Sequence, residues 1–157
     1  MGHTLIEKII MKNTGLQDVE AGSIVIVKAD KLMVHDIFIP FVAQKFEEMG
    51  FNSIYDPDRM VLVFDHLVPT SKVEDVRHFK IGEEFCKKYN VKNIHRTDGI
   101  CHQLMVECGY VKPGDIVFGT DSHTTTYGAI GAFSTGIGYT EMAAVLGTFQ
   151  CAKDLKL

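Results

Sequence analysis

Met60-Val61-Leu62-Val63-Phe64-Asp65-His66 sets five apolar side chains in a row and closes them with a carboxylate and an imidazole. A strand with one wet face alternates apolar and polar residues. An unbroken run this short suits a strand covered on both faces, as in a parallel sheet between helices. Downstream, Thr70 and Ser71, with Glu74 three residues after Ser71, carry a capping-box signature. Val73, Val76, Phe79, Phe85 and Tyr89 then trace a helix ending near Asn90. A short strand is predicted over 91–94, and a helix over 100–107 that Gly109 terminates. After the Pro113-Gly114 turn, Asp115-Ile116-Val117-Phe118-Gly119 reads as the next strand, and 140–148 as the last helix.

Upstream, 4–12 is predicted as a short amphipathic helix stopped by Gly15, and 23–28 as a β-branched strand. Residues 37–50 read as a helix with Phe38, Val42, Phe46 and Met49 on one face, provided Pro40 lies in its first turn. Strands alternating with helices predict an α/β fold with a mostly parallel sheet, whose ligands gather at the carboxyl ends of the strands. Asp65-His66 and Thr120-Asp121-Ser122-His123 both lie at such ends.

The 157 residues have the length of one domain, and 1–157 is read as a single unit without repeats or a Gly/Ser/Pro-rich linker. Apolar residues at 46 % and charged residues at 23 % exclude a disordered chain. A net charge of −4 without blocks of one sign argues against nucleic acid as a partner. No stretch nears the ~18 apolar residues of a membrane span. Glu7 and Lys8 stand where a signal peptide would be apolar, so the cytoplasm is the expected compartment. Cys86, Cys101, Cys108 and Cys151 form no C-x-x-C pair, which makes a disulfide framework improbable in a chain of this length. Cys101, His102 and Cys108 could share a helix face, but their spacing matches no usual zinc pattern.

The densest chemistry lies in Gly119-Thr120-Asp121-Ser122-His123-Thr124-Thr125-Thr126-Tyr127-Gly128, directly after an apolar strand. Six of the 14 glycines fall between 119 and 147, which points to close backbone approach or tight turns there. No nucleotide-binding glycine pattern is present. In Asp65-His66 a carboxylate could fix the imidazole tautomer, but neighbours on a strand point apart, so a turn must bring them together. His102 follows Asp98-Gly99 at a predicted helix start, which favours its neutral form. His3, His78 and His95 read as ordinary surface or helix residues. Taken from the residues alone, this is a polar site suited to acid–base work.

At these same residues a family resemblance enters. Residues 121–133, continuing through Gly136-Ile137-Gly138-Tyr139-Thr140-Glu141, closely resemble the signature of the aconitase superfamily. Val63-Phe64-Asp65-His66-Leu67-Val68-Pro69 resembles its earlier Asp-His motif, and Gly99-Ile100-Cys101-His102-Gln103 its Gly-Ile-x-His-Gln motif. The Thr-rich form with Tyr127-Gly128-Ala129 is more similar to the 3-isopropylmalate dehydratase large-subunit and prokaryotic homoaconitase branch than to mitochondrial-type aconitase, and the opening Gly2-His3-Thr4-Leu5-Ile6-Glu7-Lys8-Ile9 resembles the start of that large subunit.

The resemblance implies a three-layer α/β/α domain, incomplete at its C-terminal edge. It also implies reversible dehydration of a hydroxy-di- or tricarboxylate on a [4Fe–4S] cluster, one iron acting as a Lewis acid. Carried over by position, His66 with Asp65 is the acid at the leaving hydroxyl, and His102 pairs with Asp121. His123 would pair with a carboxylate from a later segment, and Ser122 would bind substrate. His35 falls where aconitases carry a substrate-contacting Gln, and Thr126 where they carry an Asn near the cluster.

The family's cluster ligands, a cysteine and a later C-x-x-C, all follow the Asp-Ser-His motif. The four cysteines here do not match them, so no metal ligand is carried over, and 149–157 also departs from the family. The chain therefore resembles the N-terminal part of a large subunit, either truncated or one piece of a split enzyme. Its implied partners are the C-terminal remainder and a separate small subunit, the swivelling domain. The expected reaction is interconversion of 3- and 2-isopropylmalate in leucine biosynthesis. Homoaconitate or 2,3-dimethylmalate chemistry is the alternative within the family, and a non-catalytic carboxylate-binding remnant the alternative outside it. Alone, the chain is expected to be inactive, free of cluster, and self-associating through an unpaired sheet edge.

Overall fold

A computed structural model describes residues 2–148 and 150–154. Helix α1 (Leu5–Thr14) opens on a capping box, in which Thr4 Oγ1 accepts the Glu7 N–H at 3.3 Å and the Glu7 carboxylate accepts the Thr4 N–H at 2.6 Å. Gly15, at φ 76°, closes it. Strands β1 (Ile24–Lys28) and β2 (Lys31–His35) follow, then α2 (Ile39–Glu48), with Pro40 in its first turn as expected. Next come β3 (Met60–Val63), α3 (Val73–Lys88), β4 (Asn93–His95), α4 (Cys101–Glu107) and β5 (Ile116–Gly119). A 3₁₀ helix (Ser122–Ile130), β6 (Phe133–Gly136), α5 (Tyr139–Thr148) and β7 (Gln150–Asp154) complete the order.

Five strands form one parallel sheet in the order β4-β3-β2-β5-β6. Residues of β2, β3 and β5 alternate between two cores. Leu32, Val34, Leu62 and Phe118 face one side, with Phe46 of α2 and Leu146 of α5. Met33, Val61, Val63 and Val117 face the other, with Leu104 and Met105 of α4 and Tyr127. Burial on both faces is what the apolar run 60–64 demanded. The result is the expected α/β fold with a mostly parallel sheet.

Several local expectations fail. Ser71 does not cap α3; Lys72 occupies the N-cap without a side-chain hydrogen bond, and the helix starts at Val73. β1 does not join the main sheet but pairs antiparallel with β7, Ile24 opposite Asp154. Its alternating burial, with Val25 and Val27 inside and Ile24 and Ile26 exposed, fits a ribbon with one wet face. The central strand, β2, carries no β-branched run, and its pairing on both edges is what makes it a strand.

Candidate active site

Three adjacent strands, β3, β2 and β5, end side by side and deliver the chemistry. β2 ends at His35 and is followed by Asp36; β3 leads through Phe64 to Asp65 and His66; β5 leads through Thr120 to Asp121. The register holds His35 opposite Val63 and Met33 opposite Gly119, so the three loops emerge at one level. The chain bends at His66, and this turn brings the neighbours together, with His66 Nδ1 2.6 Å from Asp65 Oδ1. The second oxygen of Asp65 accepts the Cys101 N–H at 2.7 Å, which ties the β3 loop to the start of α4.

Asp121 stands at the centre. Its Oδ1 accepts the His123 N–H at 2.7 Å and lies 2.8 Å from His102 Nε2 and 3.1 Å from His123 Nδ1. Its Oδ2 is 4.0 Å from His66 Nε2. Burial opposes ionisation of Asp121, but the His123 N–H and the His102 ring outweigh it and hold the carboxyl below its ordinary range. His102 is tied at both ends, because its Nδ1 lies 3.2 Å from the buried Tyr127 hydroxyl. Held between Asp121 and Tyr127, its ring is fixed in orientation. Burial pushes the Tyr127 phenol up, so it remains a donor.

His35 is fully buried, and neither ring nitrogen has a hydrogen-bond partner among the described residues. Its ring stacks on His66 at 4.1 Å between centroids and meets Phe38 edge-on. Ser122 lines a cavity of about 550 Å³ at the strand ends, together with Phe38, Thr120, Asp121, Gly136 and Gly138. Thr126 is exposed on the 3₁₀ helix and is not among the residues lining that cavity. His123 is largely exposed, and among the described residues its ring partner is Asp121. His95 lies outside this group and bridges Asp98 at 2.7 Å and the Tyr110 hydroxyl at 3.0 Å.

The thiols do not fit an iron–sulfur cluster. Cys86 lies in the core, where burial pushes it up to about 12. Cys101 is buried beside Asp65, and burial with that carboxylate raises its pKa as well. Cys108 is exposed at the end of α4, and the Cys151 side chain lies outside the described residues. Groups with metal-ligand geometry among the described residues mix histidine and aspartate with at most one cysteine, as in Asp65-His66-Cys101. Cluster sites take three or four thiolates at one point, which the described thiols do not supply.

A parallel α/β domain thus gathers histidine–carboxylate pairs at the ends of its central strands. The family model described as "Aconitase family (aconitate hydratase)" matches residues 7–155, and the chain belongs to that family. The chain is 47 % identical over 149 residues to 3-isopropylmalate dehydratase large subunit 1 of Methanopyrus kandleri, covering 94 % of this chain and 35 % of that protein. The probable 3-isopropylmalate dehydratase large subunit of Methanothermobacter thermautotrophicus is 42 % identical over 149 residues, 94 % of this chain and 36 % of that protein. The 3-isopropylmalate dehydratase large subunit of a Sulfurihydrogenibium species is 42 % identical over 150 residues, 94 % of this chain and 35 % of that protein. The chain thus spans about a third of the length of the relatives it matches. No helix among the described residues is long and apolar enough to cross a membrane.

Proposed function

We propose that this chain is the histidine-bearing part of a hydro-lyase that removes and returns water on a small hydroxy-dicarboxylate, with 3-isopropylmalate as the substrate. The names of the relatives support the substrate, and the free cysteines among the described residues suit a reducing cytoplasm. The observation that carries the reading is the Asp65–His66 pair at 2.6 Å, with His66 Nε2 4.0 Å from Asp121, which lines the cavity. Dehydration breaks a C–O bond whose oxygen leaves as water, and a neighbouring C–H bond whose electron pair forms the double bond while its proton passes to a base; an acid at the leaving oxygen lowers the barrier. Asp65 holds the Nδ1 proton of His66, so Nε2 presents the proton to the leaving hydroxyl and recovers it on rehydration. His102 and Tyr127 act one step back, fixing Asp121. Ser122, at the cavity wall, supplies a polar contact to the acid, while His35, buried against the His66 ring, backs that ring from below.

In this reading the catalyst is an assembly of this chain with the remaining two-thirds of a large subunit and a separate small subunit. Assaying that assembly on 3-isopropylmalate, homocitrate and 2,3-dimethylmalate tests it. Turnover of the first is expected, and its absence refutes the substrate. Replacing His66→Gln in the assembly should lower kcat by about 10²–10⁴-fold, the usual worth of one positioned acid. An unchanged rate would remove His66 from the chemistry.

A further inference from the structure

Asp36, fully buried directly after β2, belongs to no motif discussed above. Its carboxylate accepts three backbone N–H groups: Ile37 at 3.0 Å and His66 at 3.3 Å on Oδ1, and Leu67 at 2.8 Å on Oδ2. Two of the three donors are the residues of the bend that carries His66. The Asp36 N–H continues the β2–β3 ladder by donating to Val63 O at 3.1 Å, and its carbonyl lies 3.1 Å from His78 Nδ1 on α3. Oδ1 also sits 3.9 Å from His66 Nδ1 and 3.8 Å from His35 Nδ1. Burial works against its charge, but the His35 ring and the Leu67 and His66 amides hold the carboxyl below its ordinary range.

A buried carboxylate is costly unless its lone pairs are filled, and here the Ile37 N–H and two backbone donors of the His66–Leu67 turn fill them. A packing role alone would be met by an apolar side chain, and a neutral amide has one acceptor oxygen where this turn uses two. From this geometry we infer that Asp36 is a positioning residue, a carboxylate anchor that fixes the His66–Leu67 turn and so holds His66 Nε2 toward Asp121. The inference rests on the proposed role of His66 for its catalytic half; the anchoring half stands on the chain by itself.

Asp36→Asn keeps the size of the side chain but puts an NH₂ where one N–H acceptor was. In the chain itself, amide hydrogen exchange resolved by NMR should show the Leu67 amide exchanging at least tenfold faster, with the β3 amides unchanged. Unaltered Leu67 protection overturns the anchor. Uniform acceleration across the chain, or across the smaller variant Asp36→Ala, would mean a global stability effect and overturns it too. In the assembled hydro-lyase the same variant should lower kcat at least tenfold while KM stays within about twofold, because aim is lost and substrate contacts are kept. Equal loss in both constants, or none, overturns the catalytic half. An assembly inactive with Asp36 intact refutes the hydro-lyase reading, and the exchange result still judges the anchor.

Discussion

A histidine beside a carboxylate is common; what distinguishes His66 is that its Nδ1 is held at 2.6 Å from Asp65 while Nε2, without a hydrogen bond among the described residues, lies 4.0 Å from Asp121. His102 is the contrast, with both nitrogens engaged and its value confined to orienting Asp121. The ionised Asp121 has a thermodynamic consequence. Its folded pKa lies below the unfolded value of about 3.9, so its contribution to stability is complete above that pH and disappears as pH falls through the folded value. Urea unfolding of the chain and of Asp121→Asn should therefore differ most at neutral pH and converge in acid; a constant gap would show that charge is not what Asp121 contributes. The thiols allow a second check. Burial keeps Cys86 and Cys101 protonated, whereas Cys108 is open to solvent. Iodoacetamide at pH 8, read by peptide mass spectrometry, should label Cys108 and spare the other two, and rapid labelling of Cys101 would contradict its placement under Asp65. The sequence displayed the Asp65-His66 and Asp121-Ser122-His123 groups plainly, because each follows an apolar strand. It could not display Asp36, whose partners are backbone amides 30 and 31 residues away.

At the scale of elements, legibility followed burial. β3 and β5 are visible as apolar runs because both faces are covered. β2 is no less buried, but Lys31-Leu32-Met33-Val34-His35 ends in polar residues and lacks β-branched density, so only its neighbours make it a strand. β6, Phe133-Ser134-Thr135-Gly136, is half-buried at the margin of the sheet and resembles a loop in composition. Ser71 and Glu74 had capping-box spacing without the helix start to use it. Among the glycines between 119 and 147, Gly136 finds its reason in the closeness of β6 to the Asp121 loop. A Cβ on Gly136 would lie 2.6 Å from the Asp121 carbonyl oxygen and 3.1 Å from Ser122 Cα, both backbone atoms that cannot swing aside. Gly136→Ala should therefore cost about 1–3 kcal/mol, the usual penalty of overpacking, and displace Asp121 and Ser122 from the cavity wall. Thermal unfolding reads the first effect, and amide shifts confined to 119–124 the second. An unaltered melting temperature would mean that the two loops have room the geometry denies them.

At the scale of the molecule, the sheet determines what the chain can do alone. Its order β4-β3-β2-β5-β6 places the site loops on the three central strands and leaves β4 and β6 as the outer ones. Outer strands present unpaired N–H and C=O groups that a further strand or a second copy can take up. The described thiols are dispersed: Cys86 in one core, Cys101 in the other beside Asp65, and Cys108 on the surface. A cluster would need three or four thiolates brought to one point, which these positions deny without unfolding both cores. The chain is therefore expected to take up no stoichiometric [4Fe–4S] cluster on its described thiols and, in the proposed reading, to show no dehydratase activity by itself. Anaerobic incubation with iron and sulfide, followed through visible charge-transfer absorbance, measures the first. Sedimentation of the same sample reads the outer strands, self-association being expected and a monodisperse monomer counting against it. A full complement of iron whose absorbance vanishes in Cys101→Ser would place a ligand where the fold has a buried, protonated thiol, and would show that the Asp65–Cys101 junction opens. Iron taken up only after the remainder is added would locate the cluster on that remainder and leave this chain its histidines.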